Sequence, residues 1–344
     1  MAEQEGIKKR KNDHLEITLK KNVSGKGITS GFERFAFIHE ALPDINFSDI
    51  DISTNLFGKQ IKTPFLLSSM TGGSERTFEI NGNLAMAAES RGWALALGSG
   101  RAAIENPELE YTFSVRKYAP SIPIIANLGA VQLNYGYGIE ECKRIVEMAE
   151  ADALVLHLNS LQEVIQPEGD TNFAGLTKKI ESLCKTFPFP VGVKEVGWGI
   201  HGRLAKTLFD AGVSFVDVAG AGGTSWSEVE KHRSNNPNTI AAAEALESWG
   251  IPTVQCLLSA KEHSANGFLI ASGGLENGME AAKAFVLGAG LAGYGRTILG
   301  EAVNSPDVLS QRLAGIELQL KVTMFGIGAR SFADLKNSTN LVER

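Results

Sequence analysis

Eight short apolar runs, each followed by a polar or glycine-containing turn and then a stretch with helical spacing, set the strongest limit on the fold of this chain. The runs are PFLLSS (64–69), WALALGS (93–99), IPIIANLG (122–129), ALVLHLN (153–159), PVGVKEVG (190–197), SFVDVAGAGG (214–223), GFLIASGG (267–274) and GLAGYG (290–295). Runs that are apolar throughout, with no alternation, mark parallel strands covered on both faces. Helices are predicted at 75–91, 106–118, 138–150, 171–186, 200–211, 237–249, 276–287 and 306–326. Eight such units in 344 residues predict an α/β chain of the (β/α)8 TIM-barrel class. A doubly wound open sheet competes, but the GxGxxG dinucleotide fingerprint after its first strand is absent. Residues 1–60 are expected to form an N-terminal arm and cap, with a hairpin or short strands. They belong to the same domain as the barrel at 61–344.

The chain is 43% hydrophobic and 21% charged, with a net charge of −6, which is soluble globular composition without a broadly basic face for nucleic acid. No run approaches the roughly 18 apolar residues of a membrane span. The opening MAEQEGIKKRKNDH lacks the apolar stretch of a secretory signal. A cytoplasmic protein with no membrane or nucleic-acid partner is expected. Cys142, Cys184 and Cys256 lie far apart with no metal-ligand spacing, so they read as free thiols in a reducing compartment.

In such a barrel the chemistry sits where the strands end. The first run ends in Ser68-Ser69-Met70-Thr71-Gly72-Gly73, small and hydroxyl-bearing residues that let a flat ring approach. The second ends at Ser99 and Arg101, the latter able to meet an anion, and the third at Asn127. The fourth places His157, Asn159, Gln162 and Glu163 within seven residues. In the fifth, Lys194 lies on an apolar strand, where burial is costly without an anionic or electron-rich partner. Glu195 cannot be that partner, because neighbours on a strand face opposite ways. The last three runs end in Gly222-Gly223-Thr224, Gly273-Gly274 and Ala292-Gly293, and the glycine turns of the seventh and eighth feed helix N-termini, the usual phosphate cradle of this barrel. Together these ends predict FMN lying across the mouth, with Lys194 at the N1/O2 edge of its ring.

RKNDH, SSMTGG, GSGR, ANLG, HLNSLQE, VKEVGWG, GAGGTSW, AEALESWGIPT and ASGG, in this order, span nearly the whole chain. With them the sequence resembles the type 2 isopentenyl-diphosphate isomerases. The resemblance implies an FMN- and Mg2+-dependent homotetramer or homo-octamer that interconverts isopentenyl and dimethylallyl diphosphate without net redox change. It also implies that the flavin must be reduced, with NADPH as the typical reductant. Carried over by position, Arg10, Lys11, His14, Ser99 and Arg101 would bind the diphosphate substrate. Ser68, Ser69, Met70, Thr71, Ser99, Asn127, Lys194, Thr224, Gly273, Gly274, Ala292 and Gly293 would bind FMN. Gln162, His157, Asn159 and Lys194 would carry the catalysis, with Gln162 also against the substrate, and Glu163 would hold Mg2+. One carboxylate suffices for Mg2+ when diphosphate oxygens and waters complete its octahedron. One departure stands out: Glu276 occupies the place of the arginine in the family's GGxR pattern. It is expected to point outward, leaving FMN phosphate to backbone amides and Arg296. Two other readings compete. An FMN-dependent oxidoreductase of 2-hydroxy acids would want a base or a loop cysteine opposite the flavin. A non-catalytic flavin- or phosphate-binding barrel would need neither Glu163 nor the basic arm.

Overall fold

The computed structural model describes residues 2–70, 72–264 and 267–344, with side chains described from residue 10 onward. A closed barrel of parallel strands occupies its centre. The strands are β1 (Phe65–Leu67), β2 (Ala94–Ala96), β3 (Ile124–Gly129), β4 (Ala153–Leu158), β5 (Val191–Glu195), β6 (Phe215–Asp217), β7 (Leu269–Ala271) and β8 (Leu291–Tyr294). Each falls inside one of the eight apolar runs, and β8 pairs back onto β1.

Alternation along the strands sorts their residues. Leu66, Ala94, Ala96, Ile125, Ala153, Val155, Phe215, Ile270 and Leu291 fill the barrel interior, while the opposite faces pack under the helices. An antiparallel hairpin of Thr54–Leu56 and Lys59–Ile61 closes the N-terminal end of the barrel, adding Leu56 and Ile61 to the interior cluster. Its two-residue turn puts Phe57 at φ 52° and Gly58 at φ 77°. That conformation is unfavourable for a bulky residue. Packing of the Phe57 ring 5.4 Å from Phe215, inside the barrel, offsets it. Two residues further along, six of the eight strands turn polar, with Ser68, Asn127, His157, Lys194, Asp217 and Ser272, and the other two carry Gly98 and Gly293.

The helices Glu75–Arg91, Ile139–Met148, Leu176–Thr186, Gly202–Asp210, Gly278–Val286 and Pro306–Phe325 lie where expected. Three expectations need correction. Residues 106–118 form two 3-10 segments, Pro107–Phe113 and Arg116–Tyr118, not an α-helix. Tyr111, Thr112, Phe113 and Val115 are weak helix formers. The helix expected at 237–249 is present but shorter, Pro237–Ala245, and two unexpected helices flank it, Trp226–Arg233 and Thr253–His263. The last packs against Gly202–Asp210 and buries Thr253, Val254, Cys256, Leu257 and Ala260 at helical spacing. Finally, the arm begins with a helix, Ala2–Lys20, that no strand pattern foretold. Further along it, Phe35–Phe37 pairs with the C-terminal strand Leu341–Glu343. Among the described residues, no helix is long and apolar enough to cross a membrane.

Candidate active site

A cavity of about 350 Å³ opens at the C-terminal ends of the strands. Its walls bring together Ser68, Ser69, Met70, Ser99, Arg101, Asn127, His157, Asn159, Gln162, Glu163, Lys194, Thr224, Gly273, Gly274 and Gly293, with Arg10, Lys11 and His14 from the arm. Two expected residues are not among them. Thr71 lies outside the described residues. The Ala292 side chain packs outward in the core between barrel and helices, so only its neighbour Gly293 reaches the cavity.

The fourth strand end builds a connected polar cluster. His157 Nδ1 lies 2.8 Å from Asn127 Oδ1, an acceptor, so Nδ1 carries the hydrogen. Burial, with the charges of Lys194, Lys11 and Arg101, pushes His157 down to about 3, leaving the ring neutral. The short helix Ser160–Ile165 turns Gln162 and Glu163 inward. The Glu163 carboxylate accepts Asn159 Nδ2 at 2.7 Å, Gln166 Nε2 at 2.5 Å and the Asp170 N–H at 2.7 Å. Asn159 Oδ1 and Gln132 Oε1 are buried acceptors with no partner among the described residues. Among the described residues no three His, Cys, Asp or Glu side chains converge as a metal cage. The donor set is one carboxylate with orphaned amide oxygens beside it, which suits an oxygen-loving cation completed by a ligand's own oxygens.

The Ala2–Lys20 helix carries Arg10, Lys11 and His14 on one face and sets them over the mouth. His14 Nε2 meets Glu230 Oε1 at 2.8 Å, and its ring lies edge-on to Trp226 at 5.1 Å. Glu230 was not legible as a site residue. It is 1% exposed, accepts Gln162 Nε2 at 3.0 Å, and pairs with Arg233 at 2.5 Å. Burial would raise its carboxyl, but His14, Gln162 and Arg233 bring it down to about 2. Arg101 is held by Glu105 at 2.6 Å and Asp170 at 2.5 Å.

Lys11 lies close to both other cations. Burial, Arg10 and Arg101 lower it to about 7, with Glu105 pulling the other way. An anion bound there raises it again. Affinity for inorganic pyrophosphate is therefore expected to be greatest below pH 7 and to weaken, with proton uptake on binding, as pH rises through about 7. Calorimetry in buffers of different ionisation enthalpy measures the uptake at pH 8. Uptake equal in the parent and in Lys11→Met would assign it elsewhere.

Glycine backbone lines much of the opposite end. Gly273, at φ 99°, packs so closely on Gly220 that a Cβ would strike its backbone, and a Cβ on Gly293 would lie 2.5 Å from Ser68 Oγ. Among the described residues, Ser68 Oγ and Ser69 Oγ are buried without partners. Glu276 is exposed, as expected, yet it stands at the cavity rim. Arg296 lines the same rim and donates to Ser24 Oγ at 2.6 Å, and the Glu276 charge acts on it. A phosphate here meets glycine amides and one guanidinium, with a carboxylate close by. Retention of FMN through dialysis is expected to rise in Glu276→Arg, with Kd tightening roughly tenfold. Complete FMN retention by the parent chain would contradict a weakened site.

Fold and cradle together define a flavin-type barrel, and comparison with known proteins gives its class. Residues 4–108 and 141–342 match the model of the family described as FMN-dependent dehydrogenase. Among solved structures, a Pediococcus acidilactici lactate oxidase has a TM-score of 0.70 at 15% identity, covering 99% of this chain and 93% of that one. A flavocytochrome b2 mutant has a TM-score of 0.69 at 17% identity, covering 96% and 82%. Likeness at this identity concerns the fold alone. Much nearer in sequence is the isopentenyl-diphosphate delta-isomerase of Oceanobacillus iheyensis, 52% identical over 98% of this chain and 97% of the relative. Those of Nostoc sp. and Rickettsia akari are each 46% identical, over 96% and 95% of the chain and 95% of each relative. The chain belongs to the isopentenyl-diphosphate delta-isomerases of the FMN-dependent dehydrogenase family.

Proposed function

We propose that this protein isomerises isopentenyl diphosphate to dimethylallyl diphosphate, using reduced FMN and Mg2+ with no net redox change. One observation carries the reading. The basic arm, the Asn159–Gln162–Glu163 cluster, Lys194 and the glycine cradle all face a single cavity.

FMN fits the site because two orphaned serine hydroxyls, a lysine and a side-chain-free phosphate cradle match a flat, polar-edged ring with a phosphate tail. When bound and reduced, FMN supplies the acid–base group that moves a proton at an alkene carbon. The chain's own residues do the rest. Arg10, Lys11 and Arg101 grip the diphosphate and fix the register of an otherwise apolar five-carbon substrate. Glu163, with Asn159 Oδ1 beside it, would hold Mg2+, which would supply positive charge to the diphosphate. Gln162 is pinned by Glu230 at 3.0 Å, so its amide faces the substrate in one orientation. His157, neutral and donating to Asn127, lends polarity without adding charge to the alkene end. Lys194, on the cavity wall, would favour the negative charge that the ring gains on reduction. NADPH is the proposed reductant, and a soluble cytoplasmic homo-oligomer the proposed form.

Oxidation of a 2-hydroxy acid would need a base beside the ring. The one imidazole on the barrel strands lies at about 3, and burial pushes Cys142 and Cys256 up to about 12. The deciding experiment is anaerobic incubation of photoreduced holoenzyme with isopentenyl diphosphate and Mg2+. Formation of the isomer with the flavin still reduced supports isomerisation. Stoichiometric oxidation of the reduced flavin by another substrate, without isomer, would sink it.

A further inference from the structure

Asp217 is a buried acid that the reading above leaves without a role. It ends β6, in parallel register with Lys194 on β5. Both residues follow interior positions by two. Phe215 belongs to the interior cluster, and a Cβ on Gly192 would strike the Phe215 ring. Both side chains therefore face into the barrel. Lys194 is long and reaches the cavity wall, where its Nζ donates to the Glu195 carbonyl at 2.6 Å. Asp217 is short, 3% exposed, and does not line the cavity. Its carboxylate lies one level deeper, with Oδ1 accepting Ser272 Oγ at 2.6 Å and the Ala219 N–H at 3.2 Å. Two donors on one oxygen favour the ionised form. Burial raises its carboxyl, and the Lys194 charge is the foremost influence opposing that. No ion pair within 4.0 Å joins the two among the described residues, so their charges act across a gap. Lys194 from β5 and the Ser272 hydroxyl from β7 are the groups that face Asp217, with the Ala219 amide from its own loop. His157, the next polar side chain of this interior, is neutral. Lys194 and Asp217 are thus the two side chains of this interior that can carry opposite charges.

We infer that Asp217 is the fixed counter-charge of Lys194, a positioning residue that acts through the lysine to set how readily the bound flavin accepts electrons. This rests on the flavin reading of the cavity. Lys194 favours the negative charge that the ring gains on reduction, and Asp217, one level below, tempers that pull. A carboxylate removed from this depth cannot be replaced by solvent screening.

The test is the midpoint potential of the holoenzyme, read against reference dyes during anaerobic photoreduction. FMN stoichiometry is measured first. Failure of the parent chain to bind FMN would overturn the flavin reading itself. With FMN bound, Asp217→Asn should make reduction easier by at least tenfold in equilibrium constant, about 30 mV for a two-electron couple. Its reduced flavin should keep the anionic spectrum to lower pH than the parent. In a Lys194→Met background the same change should shift the equilibrium far less, as a double-mutant cycle requires for a coupled pair. A potential unchanged by Asp217→Asn would overturn the inference, and so would an equal shift in both backgrounds. If Asp217→Asn fails to fold, Ser272→Ala removes one donor from the carboxylate. It should shift the equilibrium in the same sense by a smaller factor, and no shift would count against the role.

Discussion

Glu163→Gln is expected to lower kcat/KM for isopentenyl diphosphate by roughly a hundredfold or more, the scale of removing one partner from a buried charge pair. It should also raise the Mg2+ concentration needed for half-maximal rate. FMN content and flavin spectrum should match the parent, because Glu163 does not touch the glycine cradle. The geometry makes the substitution severe. Three donors converge on this carboxylate, from Asn159, Gln166 and the Asp170 backbone. A glutamine amide would turn an NH2 group against at least one of them, leaving buried donors unpaired. The loop behind has no slack, since a Cβ on Gly169 would run into the Glu163 backbone. Magnesium-dependence curves for both proteins decide the matter. A variant with normal turnover at the parent's Mg2+ optimum would remove Glu163 from the metal site.

What could be read in the sequence was the part dictated by period and burial. Continuous apolar runs force parallel strands, and strand ends force a site, so Lys194, Asn127 and the His157–Glu163 stretch fall on one rim. Residues outside that logic stayed hidden for separate reasons. Asp217 sits within SFVDVAGAGG, a run that reads as apolar, and a lone aspartate at a strand end resembles a turn former. Glu230 lies on WSEVEKHR, whose charges look like a solvated helix face until Glu228 and Glu230 are found buried. The carboxylate of Asp170 is aimed at Arg101 by a loop conformation that no periodicity encodes. The Ala2–Lys20 helix has no strong apolar face, and its place over the mouth depends on contacts with His14 and Lys11.

The second large effect follows from Glu230. Glu230→Ala would take one acceptor from three groups at once: the buried Gln162 amide, the half-buried His14 imidazole and the half-buried Arg233 guanidinium, which keeps only Glu168 at 3.6 Å. A buried donor left unsatisfied, such as the Gln162 amide, costs about 1–3 kcal/mol, which the fold relieves by letting the arm leave and Gln162 turn. The expected result is a kcat lowered by roughly a thousandfold, on the scale of 1.4 kcal/mol per factor of ten. Hydrogen exchange should quicken in the Ala2–Lys20 amides but not in the barrel strands. Glu230→Gln keeps one acceptor oxygen and the shape, so its loss should be smaller and its arm better protected. The pH dependence has a definite sign. The folded carboxyl lies near 2, below the ordinary value for glutamate. Its contribution to arm docking is therefore complete above roughly pH 4.3 and declines as pH falls toward 2. Exchange protection of the arm should persist at pH 5 and fade between about 4 and 2. Parent-like kcat in Glu230→Ala, with the arm still protected, would show that Gln162 and His14 are held by something other than this carboxylate.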